Sequence, residues 1–258
     1  MANMERKSKS GDNWTYDDLL SYNIRLEYQD FSAFFEATEL PEPNLVDPEI
    51  LTAADAWKTT TNDAYAVLHM MRLSHKSTTT ENDPATTDFA FLLLRSLGYT
   101  KRDRLVRTRQ PYGLIVAGEN KIGNSDLTIV DEKNNVMLVF REDKRYRDVP
   151  SDIQLIAEGI AALATRNLRR RPFGLPLIAN KIIPGILMRG SFPIFYKIAA
   201  TSTLTEAIKR GDYPGKEAVV YVHIPVMPRP EKRADEGMIP LDNRKIILSY
   251  FEAFRKFV

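Results

Sequence analysis

Two acidic residues and a lysine lie on neighbouring segments that both have the pattern of a β-strand. Asp126 precedes the apolar run 127–130, and Glu142 and Lys144 lie at the end of the alternating run 136–144. Because alternate residues of a strand project to opposite faces, Glu142 and Lys144 share a face. The polar segment 131–135 between the two runs predicts a turn. The sequence therefore predicts a β-hairpin with charged side chains at its open end.

The spacing within this hairpin favours a metal site. A turn centred near Asn134 would place Asp126 opposite Glu142, and facing residues of an antiparallel pair have Cβ atoms about 4.5 to 5.5 Å apart. Two carboxylates at that separation repel each other unless a cation lies between them. Ligation by oxygen atoms selects Mg²⁺ or Mn²⁺. Lys144 could then orient or deprotonate an attacking water, or neutralise charge on a phosphate in the transition state.

Asp126 followed by Glu142-Asp143-Lys144 resembles the bipartite PD-(D/E)XK motif of the restriction-endonuclease-like nuclease superfamily. Ser125 stands where the superfamily usually has proline, and Asp143 fills the variable position, from which it should point away from the site. The resemblance implies an α/β (α+β) fold with a mixed central β-sheet flanked by helices and a core in the order αβββαβ. It also implies a metal-dependent nuclease, a hydrolase of phosphodiester bonds. The whole-chain pattern is similar to that of uncharacterised fungal proteins of this type.

Helices are predicted on both sides of the hairpin. The amphipathic run 89–98 ends at a glycine, which is typical of a helix C-cap. The run 153–163 has apolar residues at helical spacing and follows N-cap chemistry at Ser151. These two helices complete the order of elements that the resemblance implies.

The resemblance also implies further site residues on these helices. The first helix should carry an additional acidic metal ligand, for which Glu81 is the preferred candidate and Asp88 the second. The second helix should carry a glutamine near its start that orients water, lysine or phosphate, and Gln154 occupies this place, with Glu158 one turn later on the same face. The expected catalytic set is therefore Asp126, Glu142, Lys144 and Gln154, with Glu81 as a third metal ligand.

Basic residues are clustered near the motif, although the net charge is only +2, from 36 basic and 34 acidic residues. Such a balance does not by itself indicate a nucleic-acid partner. Because backbone phosphates supply much of the binding energy for nucleic acid, we expect local clusters to contact them, and we expect DNA rather than RNA from the habit of the superfamily. The cluster 166–171 has a second explanation, since basic side chains stabilise a helix C-terminus. The expected nucleic-acid-binding residues are Arg107, Arg109, Arg145 and Arg147.

The chain divides into two parts in this interpretation. Residues 1–76 form a mostly helical N-terminal extension packed on the core, with 1–12 disordered because they are polar, and residues 77–258 form the nuclease-like domain. Within that domain, strands are expected at 180–188, 192–200 and 218–224, with a helix at 203–210. The proline-rich stretch 225–240 should be irregular, and Asp242 should cap a final helix.

Composition excludes several other classes of protein. The chain has no cysteine, which excludes disulfides and thiolate metal sites, and a reducing compartment is the default. No apolar stretch approaches the ~20 residues of a membrane span, and the first ten residues lack the hydrophobic segment of a secretory signal. We therefore expect an intracellular protein, cytoplasmic or nuclear, with no membrane partner.

Three alternatives stay open at this point. The run of charges after Phe140 could be a solvated strand end without function. The chain could be a nuclease-derived fold that no longer cuts and serves as a nucleic-acid-binding or effector module. It could also be a structural protein with an accidental motif, in which case Asp126 and Glu142 would not be neighbours.

Overall fold

The described residues contain seven β-strands that form one mixed sheet. The computed structural model describes residues 8–77, 84–143 and 150–258. The sheet order is β1-β7-β6-β5-β4-β3-β2, in which β1 pairs with β7 and β4 with β5 in parallel, and the other neighbours are antiparallel. The strands are β1 (Ile24–Tyr28), β2 (Arg104–Val116), β3 (Glu119–Asp131), β4 (Val136–Glu142), β5 (Asn180–Arg189), β6 (Phe192–Thr201) and β7 (Ala218–His223).

Helices cover both faces of this sheet, which confirms the expected α+β class with a mixed central sheet. Alternation along β4 separates the two layers, because Leu138 and Phe140 join one cluster of buried side chains and Val139 joins the other. Helices α2 to α5 and α9 contribute to the first cluster, and α1, α6 and α7 to the second. The helices are α1 (Tyr16–Ser21), α2 (Phe31–Phe35), α3 (Pro48–Thr52), α4 (Asn62–Ser77), α5 (Ala85–Ser96), α6 (Ser151–Arg170), α7 (Ser202–Arg210), α8 (Arg233–Glu236) and α9 (Leu241–Phe254).

The elements expected after the motif are present at the expected places. The hairpin of β5 and β6 turns at Gly190, which has the left-handed backbone that glycine adopts without strain. Helix α7 ends at Gly211, again with a positive φ. The proline-rich stretch contains a 3-10 helix (Pro230–Lys232) and the short α8. Asp242 is not the N-cap residue of the last helix as predicted, because α9 begins after Pro240; its carboxylate accepts hydrogen bonds from Arg229 and from the N–H of Asn243.

The N-terminal part of the chain packs on the same core as the rest. Helix α2 brings Phe35, fully buried, against Phe195 of β6, with ring centroids 6.0 Å apart. The segment also supplies the edge strand β1, which the sequence did not predict. A second difference concerns residues 8–12, which were expected to be disordered. A 3-10 helix (Gly11–Asn13) places Gly11 in a buried position, and Trp14 follows it with no exposed surface.

Among the described residues, none of the helices has the length and apolar character needed to cross a membrane.

Replacement of Phe35 by alanine tests the packing of the N-terminal part on the sheet. Emptying a fully buried phenylalanine site costs about 3 to 5 kcal/mol of folding free energy, so we expect a large fall in the urea midpoint of the whole chain. Phe173→Ala is the matched control, because the Phe173 side chain is 78% exposed and such a change costs within about 0.5 kcal/mol. Equal midpoints for the two variants would show that α2 does not pack on β6.

Candidate functional site

The residues of the motif lie where β3 and β4 stop pairing. The ladder between these strands runs from Val130 paired with Val136 to Leu127 paired with Phe140. One residue beyond its end, the Asp126 side chain takes the place of a backbone acceptor, and its Oδ2 accepts the N–H of Glu142 at 2.9 Å. We call this place the strand fork, formed by residues 124–126 of β3 and 141–142 of β4.

Pairing on the other side of β3 is also irregular at this level. The ladder with β2 pairs Thr108 with Leu127 and Gln110 with Ser125 but passes over Arg109 and Asp126. Arg109 has a left-handed backbone with φ of 50°, a conformation that is uncommon for residues with a side chain. Asp126 therefore lies at a local break in both ladders, and such breaks re-aim side chains at sheet edges and next to active sites.

The predicted register of the hairpin is wrong by one residue. Continuing the pair Leu127 with Phe140 places Asp126 opposite Arg141 rather than Glu142. The cause is the turn: the Asp131 carboxylate accepts the N–H groups of Lys133 and Asn135, and the register shifts between residues 129 and 130. A shift of one residue exchanges the faces of a strand.

Asp126 and Glu142 are neighbours through this hydrogen bond to the backbone. By alternation, Glu142 shares the face of Phe140, the side on which α5 packs. The charge of Asp126 also acts on Arg141 and on Glu158 of α6. The contact between Asp126 and Glu142 argues against an accidental motif, which predicts that the two residues lie apart.

Asp143 is oriented by a cation on the neighbouring strand. Its N–H donates to the carbonyl of Met188, and its carboxylate pairs with Arg189, whose Nε donates to Oδ2 at 2.6 Å. This ion pair holds the Asp143 carboxylate against β5. The hydrogen bond from the N–H of Asp143 to Met188 also extends the pairing of β4 with β5 by one residue.

Four of the predicted site residues lie outside the described part of the chain: Glu81, Lys144, Arg145 and Arg147. Asp88, the second candidate for the third acid, is exposed in the first turn of α5. Within residues 8–77, 84–143 and 150–258, no group of three or more histidine, aspartate or glutamate side chains is arranged to hold a metal ion. Asp126 and Glu142 supply two acidic side chains at the strand fork.

Gln154 is buried and is engaged with the N-terminal segment. Its side chain is 2% exposed, and Nε2 donates to the backbone carbonyl of Asp12 at 2.6 Å. This amide group therefore fixes the 3-10 helix at residues 11–13 against α6. Gln154 is thus connected to the strand fork by way of Asp12, which pairs with Arg141.

A buried network of charges lies directly beneath the strand fork. Arg141 pairs with Glu158 through Nη1 and with Asp12 through Nη2, the second contact at 3.1 Å. The hydroxyl of Tyr112 donates to the same oxygen of Asp12 at 3.2 Å. Nη1 of Arg141 also reaches the carbonyl of Asn124 at 3.4 Å. One guanidinium thus links β3, β4, α6 and the N-terminal segment.

Opposing effects act on the protonation of Glu158. Three carboxylates, from Asp12, Asp126 and Glu158, act on the single guanidinium of Arg141. Burial raises the pKa of Glu158 to about 8, and the charge of Asp126 adds to the rise, whereas the charge of Arg141 and the hydrogen bond from Ser125 oppose it. Burial therefore favours the protonated form of Glu158, and the pairing with Arg141 favours the ionised form.

The sequence contains signals for this network. Arg141 follows five apolar residues of β4, and Gln154 and Glu158 lie one turn apart on the apolar face of α6. Buried polar residues need partners, so the three residues point to one another. Asp12 and Tyr112 carry no comparable signal, because their roles depend on how distant segments fold together.

The basic residues near the motif have mixed roles. Arg107 and Arg109 of β2 are exposed, and Arg107 donates to the side chain of Asn134 in the hairpin turn. In the cluster 166–171, Arg169 and Arg170 donate to the backbone carbonyls of Asn134 and Pro176. These two side chains therefore hold neighbouring segments against the end of α6.

Comparison of the sequence with protein-family models and with curated proteins gives no match in either case. The assignment of function therefore depends on the chemistry and geometry of the residues at the strand fork.

Glu158→Gln tests the protonation of the buried network. The folded-state pKa of about 8 lies above the ordinary value of 4.5, so folded Glu158 holds a proton that the unfolded chain releases as the pH rises between these values. This contribution to stability is present below the lower value and is lost as the pH rises through the upper one, at roughly 1 kcal/mol per pH unit. We expect wild-type unfolding free energy, measured with urea between about pH 5.5 and 7.5, to fall more steeply than that of the variant.

Glu206→Gln is the control for this experiment, because Glu206 pairs with Arg171 and Lys209 at the surface. This variant should keep the wild-type slope. An unchanged slope in Glu158→Gln would mean that Glu158 is ionised throughout this range.

Proposed function

We propose that this chain is a metal-dependent nuclease, a hydrolase that cleaves phosphodiester bonds in nucleic acid, with DNA as the favoured substrate. The observation that carries the proposal is the contact of the Asp126 carboxylate with the N–H of Glu142 at the strand fork. In the PD-(D/E)XK arrangement that the sequence resembles, the first acid comes from one strand and the second from its neighbour. The contact provides this proximity at the point where the two strands separate.

The order of elements supports a restriction-endonuclease-like core. Helix α5 is followed by the antiparallel strands β2, β3 and β4, then by α6 and by β5, which is parallel to β4. This is the sequence αβββαβ that the resemblance implies. Helices α5 and α6 contribute to the two opposite core clusters, so the strand fork lies between layers on both faces.

The oxygen donors at the strand fork fit a hard divalent cation. Asp126 and Glu142 would hold Mg²⁺ or Mn²⁺, with Glu81 as a further ligand. When bound, such an ion lowers the pKa of its water and offsets charge on a phosphate. Asp126 is already held in place by the N–H of Glu142, which limits the reorganisation needed for binding.

The remaining residues of the proposed site act on water and substrate. Lys144 would orient the attacking water or neutralise charge that develops on the phosphate. Gln154 would contribute through its hydrogen bond to Asp12, which fixes the segment beside Arg141. Arg107, Arg109, Arg145 and Arg147 would bind backbone phosphates, which positions the strand without reading its sequence.

A second candidate function is a nuclease-like fold that binds nucleic acid, or acts as an effector module, without cutting it. The contacts of Asp126 favour this alternative, because its carboxylate already accepts the N–H of Glu142 and its charge acts on Arg141. The engagement of Gln154 with a backbone carbonyl favours it as well. Binding of nucleic acid is common to the nuclease and to the non-cutting binding module, and the two differ in metal binding and cleavage.

Cleavage of plasmid and single-stranded DNA with Mn²⁺ or Mg²⁺ tests the leading proposal. We expect Asp126→Asn, Glu142→Gln and Lys144→Ala each to lower the rate by about 10²-fold or more, since each removes a metal ligand or the group that assists water attack. Asp143→Asn is the matched control for the acidic variants, because Asp143 pairs with Arg189 and is outside the proposed set. It should retain most of the activity. Equal rates in Glu142→Gln and wild type would refute the assignment.

A titration with Mn²⁺ separates the two candidates without measuring cleavage. A ligand that binds the folded state alone raises the melting temperature by mass action, so the nuclease should melt at a higher temperature with Mn²⁺. The rise should be lost in Glu142→Gln and retained in Asp143→Asn. No rise in the wild type, together with retained DNA binding in a mobility-shift assay, would favour the non-cutting module.

A further inference from the structure

One edge of the sheet has backbone groups that face outward in a regular order. β1 lies at the end of the sheet and, among the described strands, pairs with β7 alone. At its two ends, the carbonyl of Asn23 and the N–H of Gln29 are bonded to β7. Because backbone groups alternate in direction along a strand, the odd-numbered residues face β7 and the even-numbered residues face away from it.

In β1, the residues whose backbone N–H and C=O groups face outward are Ile24, Leu26 and Tyr28. This set is symmetric about Leu26. An antiparallel copy of the same strand, related by a two-fold axis at Leu26, would pair Ile24 with Tyr28 of the second copy and Leu26 with itself. These are hydrogen-bonded positions on both strands, so each outward N–H and C=O meets a partner. An exposed edge with this order is a template for pairing with another chain.

The charges on β1 match this pairing. In the same register Arg25 faces Glu27 of the second copy, and the two-fold axis repeats the pair. Opposite charges at facing positions stabilise an antiparallel pair, and like charges destabilise it. Within one chain, Arg25 already contacts Glu27 at 3.0 Å and Glu217 at 3.1 Å, so its guanidinium lies along this edge.

An apolar groove runs beside the same strand. It has a volume of about 340 Å³ and lies between α1, β1 and Tyr213, with Leu20 and Ile24 in its wall. Leu20 is 55% exposed and Tyr213 is 42% exposed. Tyr28, which is 66% exposed, would face Ile24 of the second copy and could place its ring against that wall. Burial of exposed apolar side chains is the main favourable term in association.

We propose that the chain forms a two-fold dimer in which β1 pairs with β1 of a second copy in antiparallel orientation, giving one continuous sheet across both copies. The interface is isologous, because the same residues contribute from each side. It consists of the outward backbone of β1, the Arg25–Glu27 pairs and the groove that receives Tyr28. This inference is independent of the proposed nuclease activity.

Sedimentation velocity on the full chain, with charge variants, tests the dimer and its register. From roughly 1 to 200 μM, the range in which modest interfaces dissociate, we expect the wild-type dimer fraction to rise with concentration. Arg25→Glu and Glu27→Arg should each weaken dimerisation by about tenfold, since each places like charges at two facing positions. The double variant Arg25→Glu with Glu27→Arg should restore dimerisation to near the wild-type level. Arg210→Glu, with the same change of charge on a surface residue of α7, should leave it unchanged.

Leu26→Pro tests the backbone contribution. The N–H of Leu26 faces outward, so proline removes a donor to the second copy without removing one from the pairing with β7. We expect a folded monomer with a lowered melting temperature, because the Leu26 side chain also packs on the second core cluster. A wild-type chain that is monomeric throughout the range would overturn the proposal. So would a dimer that survives Leu26→Pro or a double charge variant that fails to recover.

Discussion

The pairing of buried Arg141 with Glu158 and Asp12 is the interaction on which the candidate site depends. A guanidinium that is almost fully removed from water must be neutralised by neighbouring acids, and breaking such a pair on one side costs about 3 to 5 kcal/mol because the remaining charge stays buried. The requirement fixes three elements at once: β4, which carries Arg141; α6, which carries Glu158; and the N-terminal segment, which carries Asp12. The site is therefore built from parts of the chain that are far apart in sequence.

The same guanidinium also links the two strands at the strand fork. Arg141 precedes Glu142 on β4 and also reaches the carbonyl of Asn124, two residues before Asp126 on β3. Beyond the last backbone pair, side chains therefore replace the ladder as the connection between the two strands. Asp126 accepts the N–H of Glu142, and Arg141 donates to the carbonyl of Asn124. These two hydrogen bonds keep the strands close where their ladder has ended.

Much of the fold follows from local sequence. The elements that could not be predicted depend on contacts between distant parts of the chain. The strands around Gly190 and the helix that ends at Gly211 were predictable, because apolar periodicity and glycine at a positive φ are local signals. The strand β1 was not, since a five-residue edge strand with Arg25 and Glu27 on one face has no strong apolar pattern. β1 is a strand because it pairs with β7, which lies 194 residues later in the sequence.

The candidate site also combines features that the sequence predicted with features that it did not. The motif correctly predicted that Asp126 and Glu142 are neighbours, but the facing residue of Asp126 was wrong by one position. The register depends on how Asp131 closes the turn and on a shift one residue before it, and neither can be read from the alternation of side chains. Asp12 was expected to be disordered on composition alone, whereas the buried charge of Arg141 gives that polar segment a partner.

The position of β1 has a consequence for the order in which the chain folds. The hydrogen bond between Gln29 and His223 joins residues 194 positions apart, and the adjacent parallel strands close a loop of similar length. Loop-closure entropy of this kind slows folding, and long-range parallel pairing is formed late. During synthesis, β1 has no partner until β7 has emerged, and until then β6 is the exposed edge of the growing sheet on this side.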